Sequence, residues 1–352
     1  MKRILAIIFA ALALQTGCLA DGLDIEIPES AEEFVSRDAG ESGDTDSVLK
    51  KLGDALGDKL REAASPSIKK AVSLVFVCLI CSAASLFASD CAADVIRLAG
   101  CAAAALICAG DIDSYVHIGQ NAINDISDFS KAILPTLCTA GVSSGTAGAS
   151  AAKYAASTLF IDLFVTAAQN IIMPLILIFL ALSVAAAAFS NKSLTAMAKL
   201  AKWASSSLMT VLTLAFTVYL GISSAVSSGG DALASKVAKT AISTALPVVG
   251  GIISDAAASV VAGAAILKNT AGVLGMLAVL GICLVPFAVL GANYLLLKAA
   301  GAIGGTLEGS GGAAAVIDGA ASAVGMMLGL VGSAGIMLFI SILSFVKAVS
   351  GI

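Results

Sequence analysis

The sequence predicts an all-α fold: a polytopic helical membrane protein with about seven membrane segments, some of them broken or re-entrant. Hydrophobic residues make up 59 % of the 352 residues, charged residues only 12 %, and the mean hydropathy is +0.99. A soluble domain contains about 25 % charged residues. Several apolar runs are long enough to cross a bilayer as a helix. Because these runs are continuous and do not alternate with polar residues, they predict helices and not the strands of a membrane barrel.

Residues 1–20 read as a secretory signal peptide. Two basic residues precede an apolar stretch, Ile4–Leu14, which is too short for a durable span. Cys18-Leu19-Ala20 has the small-x-small pattern of a cleavage site, so cleavage after Ala20 is the favoured outcome. A lipid on Cys18 and an uncleaved anchor are the alternatives.

Residues 21–68 form the polar part of the chain and contain 13 of its 24 acidic residues. This composition predicts an acidic, partly disordered region that lies outside the cytoplasm if the signal peptide is cleaved. Apolar residues recur at helical intervals in Ser47–Ala64, which predicts a short amphipathic helix. The region serves either as a solvated spacer or as a docking site for an extracytoplasmic partner.

Residues 69–352 are predicted to form a multi-pass helical membrane domain. Asp111–Lys131 is polar and is interpreted as an interfacial amphipathic helix or loop, and Gly301–Ala320 as a glycine-rich connector. Asn191–Ser207 contains three lysines, Trp203 and no acid, which marks it as cytoplasmic by the positive-inside rule. The apolar runs are Ala71–Ser89, Ala92–Gly110, Ala132–Ser150, Ala155–Ser190, Leu208–Val226, Thr270–Leu297 and Ala321–Val346.

The run Ala155–Ser190 is too long for one straight span, and its polar interruption predicts a broken helix. Gln169, Asn170 and Pro174 lie at the expected break. Polar amides and a proline at membrane depth need partners in protein or in a water-filled cavity. Asp162 precedes the break, either as an interface-level residue or as part of a pathway.

A second interrupted stretch is Leu246–Gly275. Pro247 and a Gly-Gly pair open it, Asp255 is the single charge in its apolar part, and Lys268-Asn269 close that part. Its length fits a short span, a re-entrant helix or an interfacial amphipathic helix.

Gly325 and Gly329 in the last apolar run have the G-x-x-x-G spacing that allows membrane helices to approach closely. We therefore include both glycines among the candidate packing positions.

Motifs that resemble catalytic or metal sites lack the residues that such sites need. Cys78 and Cys81 form a C-x-x-C without a second ligand pair, and His117 is the chain's only histidine. Gly141–Gly145 matches G-x-S-x-G, but no histidine follows it. We predict no catalytic, cofactor-binding or metal residues and no cofactor. The scattered basic residues also argue against a nucleic-acid partner and leave the lipid bilayer as the expected environment.

Three blocks carry a family resemblance: Gln169–Ile176, Leu246–Asp255 and Leu267–Gly275. In their order and spacing they resemble the stage III sporulation protein AE family of endospore-forming bacteria. The resemblance implies a multi-pass component of the secretion-like channel that joins mother cell and forespore, located in the mother-cell-derived outer forespore membrane. It also implies partners from the same operon, including a cytoplasmic ATPase and ring-forming channel proteins. The family offers no catalytic residues to carry over.

The alternative function is a stand-alone small-molecule permease. Transporter sites are built from discontinuous helices near the midplane, and the breaks at Pro174 and Pro247 would suit such a pair. An intramembrane protease based on Ser143, or on Asp162 with Asp255, is a less favoured third hypothesis.

Overall fold

The computed structural model describes residues 45–143, 147–228 and 270–350. Within these ranges 95 % of the residues are helical and none forms a strand, so the predicted all-α membrane fold is confirmed. The helices are α1 (Thr45–Ser85), α2 (Asp90–Ser143), α3 (Ala147–Ala167), α4 (Met173–Phe189), α5 (Lys192–Ser228), α6 (Thr270–Gly305) and α7 (Gly311–Ser350), and a π-helical turn, Ala168–Ile172, joins α3 to α4.

Six stretches in the described part of the chain are long and apolar enough to cross a membrane. They are Pro66–Ser85, Ala92–Thr139, Ser150–Phe189, Lys192–Ile222, Ala278–Gly305 and Gly311–Val346. The signal peptide and the stretch Gly251–Leu267, a candidate for one more segment, lie outside the described residues. The division at residue 68 stays a prediction, although α1 runs through it without a break.

The centre of the bundle is α7, which contacts each of the other six helices. In its most apolar eighteen-residue stretch 83 % of the residues are buried, whereas the other five candidate spans reach 28 % at most. Small residues dominate its sequence, so neighbouring helices approach it closely. The other helices surround α7 and expose their outer apolar faces.

Two segments that were expected to connect membrane spans are parts of longer helices. Asp111–Lys131 is neither a loop nor a separate interfacial helix, because α2 continues through it for 54 residues, or about 81 Å. Its exposed polar residues share one face, and the buried opposite face keeps the helix continuous. The predicted connector Gly301–Ala320 is mostly helical as well. Only residues 306–310 leave the helical path, and there Gly309 has a φ of 81°, which glycine adopts without strain.

The long run Ala155–Ser190 is interrupted at the predicted place, but it does not split into two separate segments. A π-helical turn at Ala168–Ile172 widens the helix, and the Met173 N–H donates to the Ala168 carbonyl five residues earlier. Pro174 follows directly; it lacks an N–H, and its ring crowds the preceding turn of a regular helix. The wider turn accommodates the proline while the chain stays helical.

Candidate functional site

The middle of α2 presents a continuous polar face on the outside of the bundle. We call this face the polar stripe; its members are Asp113, His117, Asn121, Asn124, Asp128 and Lys131. Steps of three and four residues keep all six within an arc of roughly 80°. All are exposed, and the stripe lies inside the candidate span Ala92–Thr139.

The ionisable members of the stripe lie close to one another along the helix. His117 Nε2 lies 3.6 Å from Asp113 Oδ2, and Lys131 Nζ lies 3.2 Å from Asp128 Oδ1. All four side chains remain 57–85 % exposed, so these pairs leave most of their polar surface open. The opposite face of α2 is core, with Ile123 and Phe129 almost completely buried.

A second polar edge, on α3 and the π-helical turn, runs beside the stripe. The Gln169 side-chain amide donates to Asn124 Oδ1 at 2.5 Å, which joins the two edges. Thr166 and Asp162 are exposed one and two turns before Gln169. Asn170 is exposed too, and its amide donates to the Thr166 carbonyl at 3.0 Å. Three of the sequence-predicted positions, Asp162, Gln169 and Asn170, therefore lie on or beside one polar surface.

A polar contact inside the bundle links α2 to α6. The Tyr115 hydroxyl donates to Asn293 Oδ1 at 2.9 Å, and the Asn293 amide donates to the Val289 carbonyl at 2.8 Å. Both side chains help to line a cavity of about 20 Å³, enough for one water molecule. Lys70 and Asp111 form an ion pair at the same cavity.

Lys153 is the most deeply buried cation among the described residues, with 2 % of the residue exposed. Its Nζ donates to the Ser344 carbonyl of α7 at 3.0 Å. One turn further along α3, Ser157 Oγ accepts a hydrogen bond from Ser341 Oγ of α7 at 3.1 Å. These contacts form a polar layer between α3 and α7 that fixes how the two helices pack.

The two candidate packing glycines of α7 have different surroundings. A Cβ on Gly325 would lie 2.9 Å from Cε2 of Tyr294, so α7 and α6 meet closely there. A Cβ on Gly329 would have nothing within 4 Å. The remaining candidates, Pro247, Asp255, Lys268 and Asn269, lie outside the described residues.

The profile of the stage III sporulation protein AE family matches residues 30–349. The chain belongs to this family. Almost the whole sequence is covered, including the polar stripe, the π-helical turn and α7.

Stage III sporulation protein AE of Bacillus subtilis (strain 168) is 27 % identical to the chain over 172 residues, which are 49 % of this chain. The match spans only 43 % of that relative's length. No solved structure matches the chain.

Sequence reasoning missed two of the interior polar contacts. Lys153 could have been selected from the sequence, because an ionisable residue within an apolar helix is a functional candidate by default. The Tyr115–Asn293 contact could not have been predicted, because it joins residues 178 positions apart. In the described ranges no group of three or more His, Cys, Asp or Glu side chains is placed to hold a metal ion.

Proposed function

We propose that this protein is a non-enzymatic integral component of the channel that connects mother cell and forespore during sporulation. Membership of the stage III sporulation protein AE family over residues 30–349 is the observation that carries this proposal. The six candidate spans supply the membrane embedding that such a component needs.

The proposed location is the mother-cell-derived outer forespore membrane. The proposed partners are other products of the same operon, including a cytoplasmic ATPase and ring-forming channel proteins. No motif in the sequence binds a nucleotide, so a partner would supply the energy for transport. The three lysines of Asn191–Ser207 would lie on the cytoplasmic side of the membrane, which is also the side of the ATPase.

The arrangement of the helices supports a structural role more than that of a stand-alone permease. Permeases hold their substrate near the membrane midplane, between discontinuous helices. In the described bundle α7 fills the centre, and the cavity between α1, α2 and α6 has room for one water molecule. The break at Pro174 is a widened helical turn beside the outer polar surface, not an opening into the bundle.

Deletion of the gene in its own organism tests the proposal. We expect engulfment to finish but late gene expression in the forespore, followed by a fluorescent reporter, to fail, and heat-resistant spores to be lost. A copy of the unchanged gene at a second locus should restore both. Normal reporter activity and spore counts in the deletion strain would refute the proposal. Substrate uptake by the purified protein in liposomes, without partners, would support the permease instead.

A further inference from the structure

The outer face shared by α2 and α3 carries more carboxylates than cations. Among the described residues, Asp113, Asp128 and Asp162 lie on this face with Lys131. The contacts that Asp113 and Asp128 make along α2 leave 85 % and 72 % of their side chains exposed. The stripe on this face rises about 27 Å from Asp113 to Lys131. An element with basic and polar side chains would complement it.

The helix α5 ends beside the turn that joins α2 to α3. It lies antiparallel to α3 and α4, because Lys202 Nζ is 5.8 Å from the ring centre of Phe179 and the ring of Tyr219 is 5.7 Å from that of Phe160. Beyond Tyr219 the helix therefore continues toward the start of α3 and ends there at Ser228.

The helix α6 begins at the same end of the bundle. It is joined to α7 by a short turn and runs antiparallel to it, with Cys283 packed against Gly335. Further along α7, the Ser344 carbonyl accepts a hydrogen bond from Lys153, in the second turn of α3. The start of α6 at Thr270 therefore lies near the end of α5 along the bundle axis.

Residues 229–269 connect these two ends and lie outside the described residues. Because α5 packs against α3 whereas α6 packs against α2, the segment must pass from one side of the α2–α3 pair to the other. In the described bundle α7 closes the route through the interior. A crossing of at most three helix spacings, roughly 30 Å, needs only about nine extended residues. The 41 residues of the segment far exceed this need.

The sequence of the segment divides it into two arms of similar length. Pro247, Gly250 and Gly251 stand at its middle and favour a turn. Each arm then has about 18 residues, and a helix of that length is about 27 Å long. A hairpin of two such arms would start and end at one end of the bundle and match the length of the polar stripe.

The first arm has the side chains that the α2–α3 face lacks. Its polar residues recur at steps of one, three and four and share an arc of roughly 140° on a helix; they are Ser235, Lys236, Lys239, Thr240 and Ser243. Leu233, Val237 and Ala241 lie on the opposite side. With its polar side on the stripe, the arm would present an apolar surface outward.

We propose that residues 229–269 fold back over the α2–α3 face as a helical hairpin, with Lys236 and Lys239 beside Asp128 and Asp162. The proposal is independent of the proposed channel function. It makes the polar stripe an internal contact surface of the single chain.

The heights of the charged residues agree with this pairing. Ser228 lies nine residues, or about 14 Å, beyond Tyr219, and Asp162 lies about 3 Å beyond Phe160 in the opposite direction. An arm returning from Ser228 covers the sum, about 17 Å, in eleven residues, which places Lys239 level with Asp162.

Asp128 lies near the same height. Gln169 is bonded to Asn124, and from these two residues Asp162 and Asp128 are seven and four residues away toward the same end of the bundle. The two carboxylates therefore differ in height by only about 5 Å, so the neighbouring lysines of one arm can reach both.

Cross-linking in the full-length protein tests the fold-back without altering the charges. The native cysteines are first replaced by alanine. Thr166→Cys lies one turn from Asp162, and Ser243→Cys lies one turn from Lys239 in the same direction. After treatment with a short bis-maleimide and digestion, we expect a linked peptide pair from a chain that still migrates as a monomer of 34.8 kDa.

The matched control combines Thr166→Cys with Thr195→Cys, which lies about 27 Å further along the bundle and should give no linked peptide. Absence of the Thr166–Ser243 link, or a link found only in a product of twice the chain mass, would overturn the proposal. The second result would assign the cover to another copy of the chain.

Charge reversal gives a second test that needs no cysteine. We expect Asp162→Lys and Lys239→Asp each to lower the melting temperature in detergent by about 2–4 °C, because each places like charges together. The double variant should recover most of this loss, whereas Asp162→Lys combined with Lys199→Asp should not. A double variant no more stable than the single ones would overturn the pairing. Neither test uses sporulation as a readout, so failure here is distinct from failure of the proposed function.

Discussion

The Tyr115 hydroxyl of α2 donates a hydrogen bond to Asn293 Oδ1 of α6, at 2.9 Å and across 178 residues of sequence. Only 8 % of Tyr115 and 4 % of Asn293 are exposed, so the bond is shielded from bulk water. Asn293 also donates to the Val289 carbonyl of its own helix, which holds its side chain in place. This polar pair therefore joins two long helices inside an apolar core.

Loss of this hydroxyl should weaken the bundle without changing its fold. We expect Tyr115→Phe to lower the free energy of unfolding by about 1 kcal/mol, since it leaves the buried Asn293 oxygen without this donor. Thermal unfolding in detergent measures the change. Tyr219→Phe, at a residue that is 43 % exposed, is the control. Its change in the free energy of unfolding should be near zero. Equal melting temperatures for the two variants would mean that the Tyr115 bond contributes nothing.

Substitution of alanine for the two candidate packing glycines of α7 should change the stability of the protein in opposite directions. Gly325→Ala places a methyl group 2.9 Å from the Tyr294 ring, and overpacking of this kind costs about 1–3 kcal/mol. Gly329→Ala meets no atom within 4 Å and should stabilise the helix by up to about 1 kcal/mol. Melting temperatures of both variants against the unchanged protein give the comparison. If Gly325→Ala is the more stable of the two, α6 and α7 are not closely packed at this position.

The turn between α6 and α7 should depend on Gly309. Its φ of 81° disfavours a side chain by roughly 1–2 kcal/mol, and a Cβ would also collide with Ser85 of α1. We expect Gly309→Ala to reduce both the amount of folded protein in the membrane and its melting temperature. Gly305→Ala, where a Cβ has open space, should leave both unchanged. Similar losses in the two variants would point to a general intolerance of the segment.

Lys153 should matter more than its exposed counterpart Lys131. Lys153→Ala removes a buried donor from the Ser344 carbonyl, and a buried acceptor that loses its partner costs about 1–3 kcal/mol. Lys131→Ala removes only a surface pair with Asp128, at a side chain 57 % exposed, and should cost less than about 1 kcal/mol. Unfolding in detergent separates the two. A larger loss for Lys131→Ala would contradict the ranking.

Hydropathy was enough to predict the helical membrane fold, because continuous apolar runs leave no other spanning structure. It could not predict which helix lies in the centre, since lipid and protein interior are equally apolar. The small residues of α7 hinted at close packing, but the same residues occur throughout the chain. Asp111–Lys131 was expected as an interfacial amphipathic helix or loop, and its polar composition did not show that one long helix runs through it. Gln169 and Pro174 were placed at a break correctly, yet only coordinates show that the break is a π-helical turn.

The central position of α7 also bears on how the protein is made. The other six described helices leave the ribosome before it, so the faces that α7 covers on α2, α4 and α6 have no partner while they enter the membrane. During that interval lipid or the insertion machinery must shield them. A nascent chain stalled before Gly311 would hold most of its spans but not its core, and would be a natural substrate for membrane proteases. Final burial of these faces therefore waits for the last described helix.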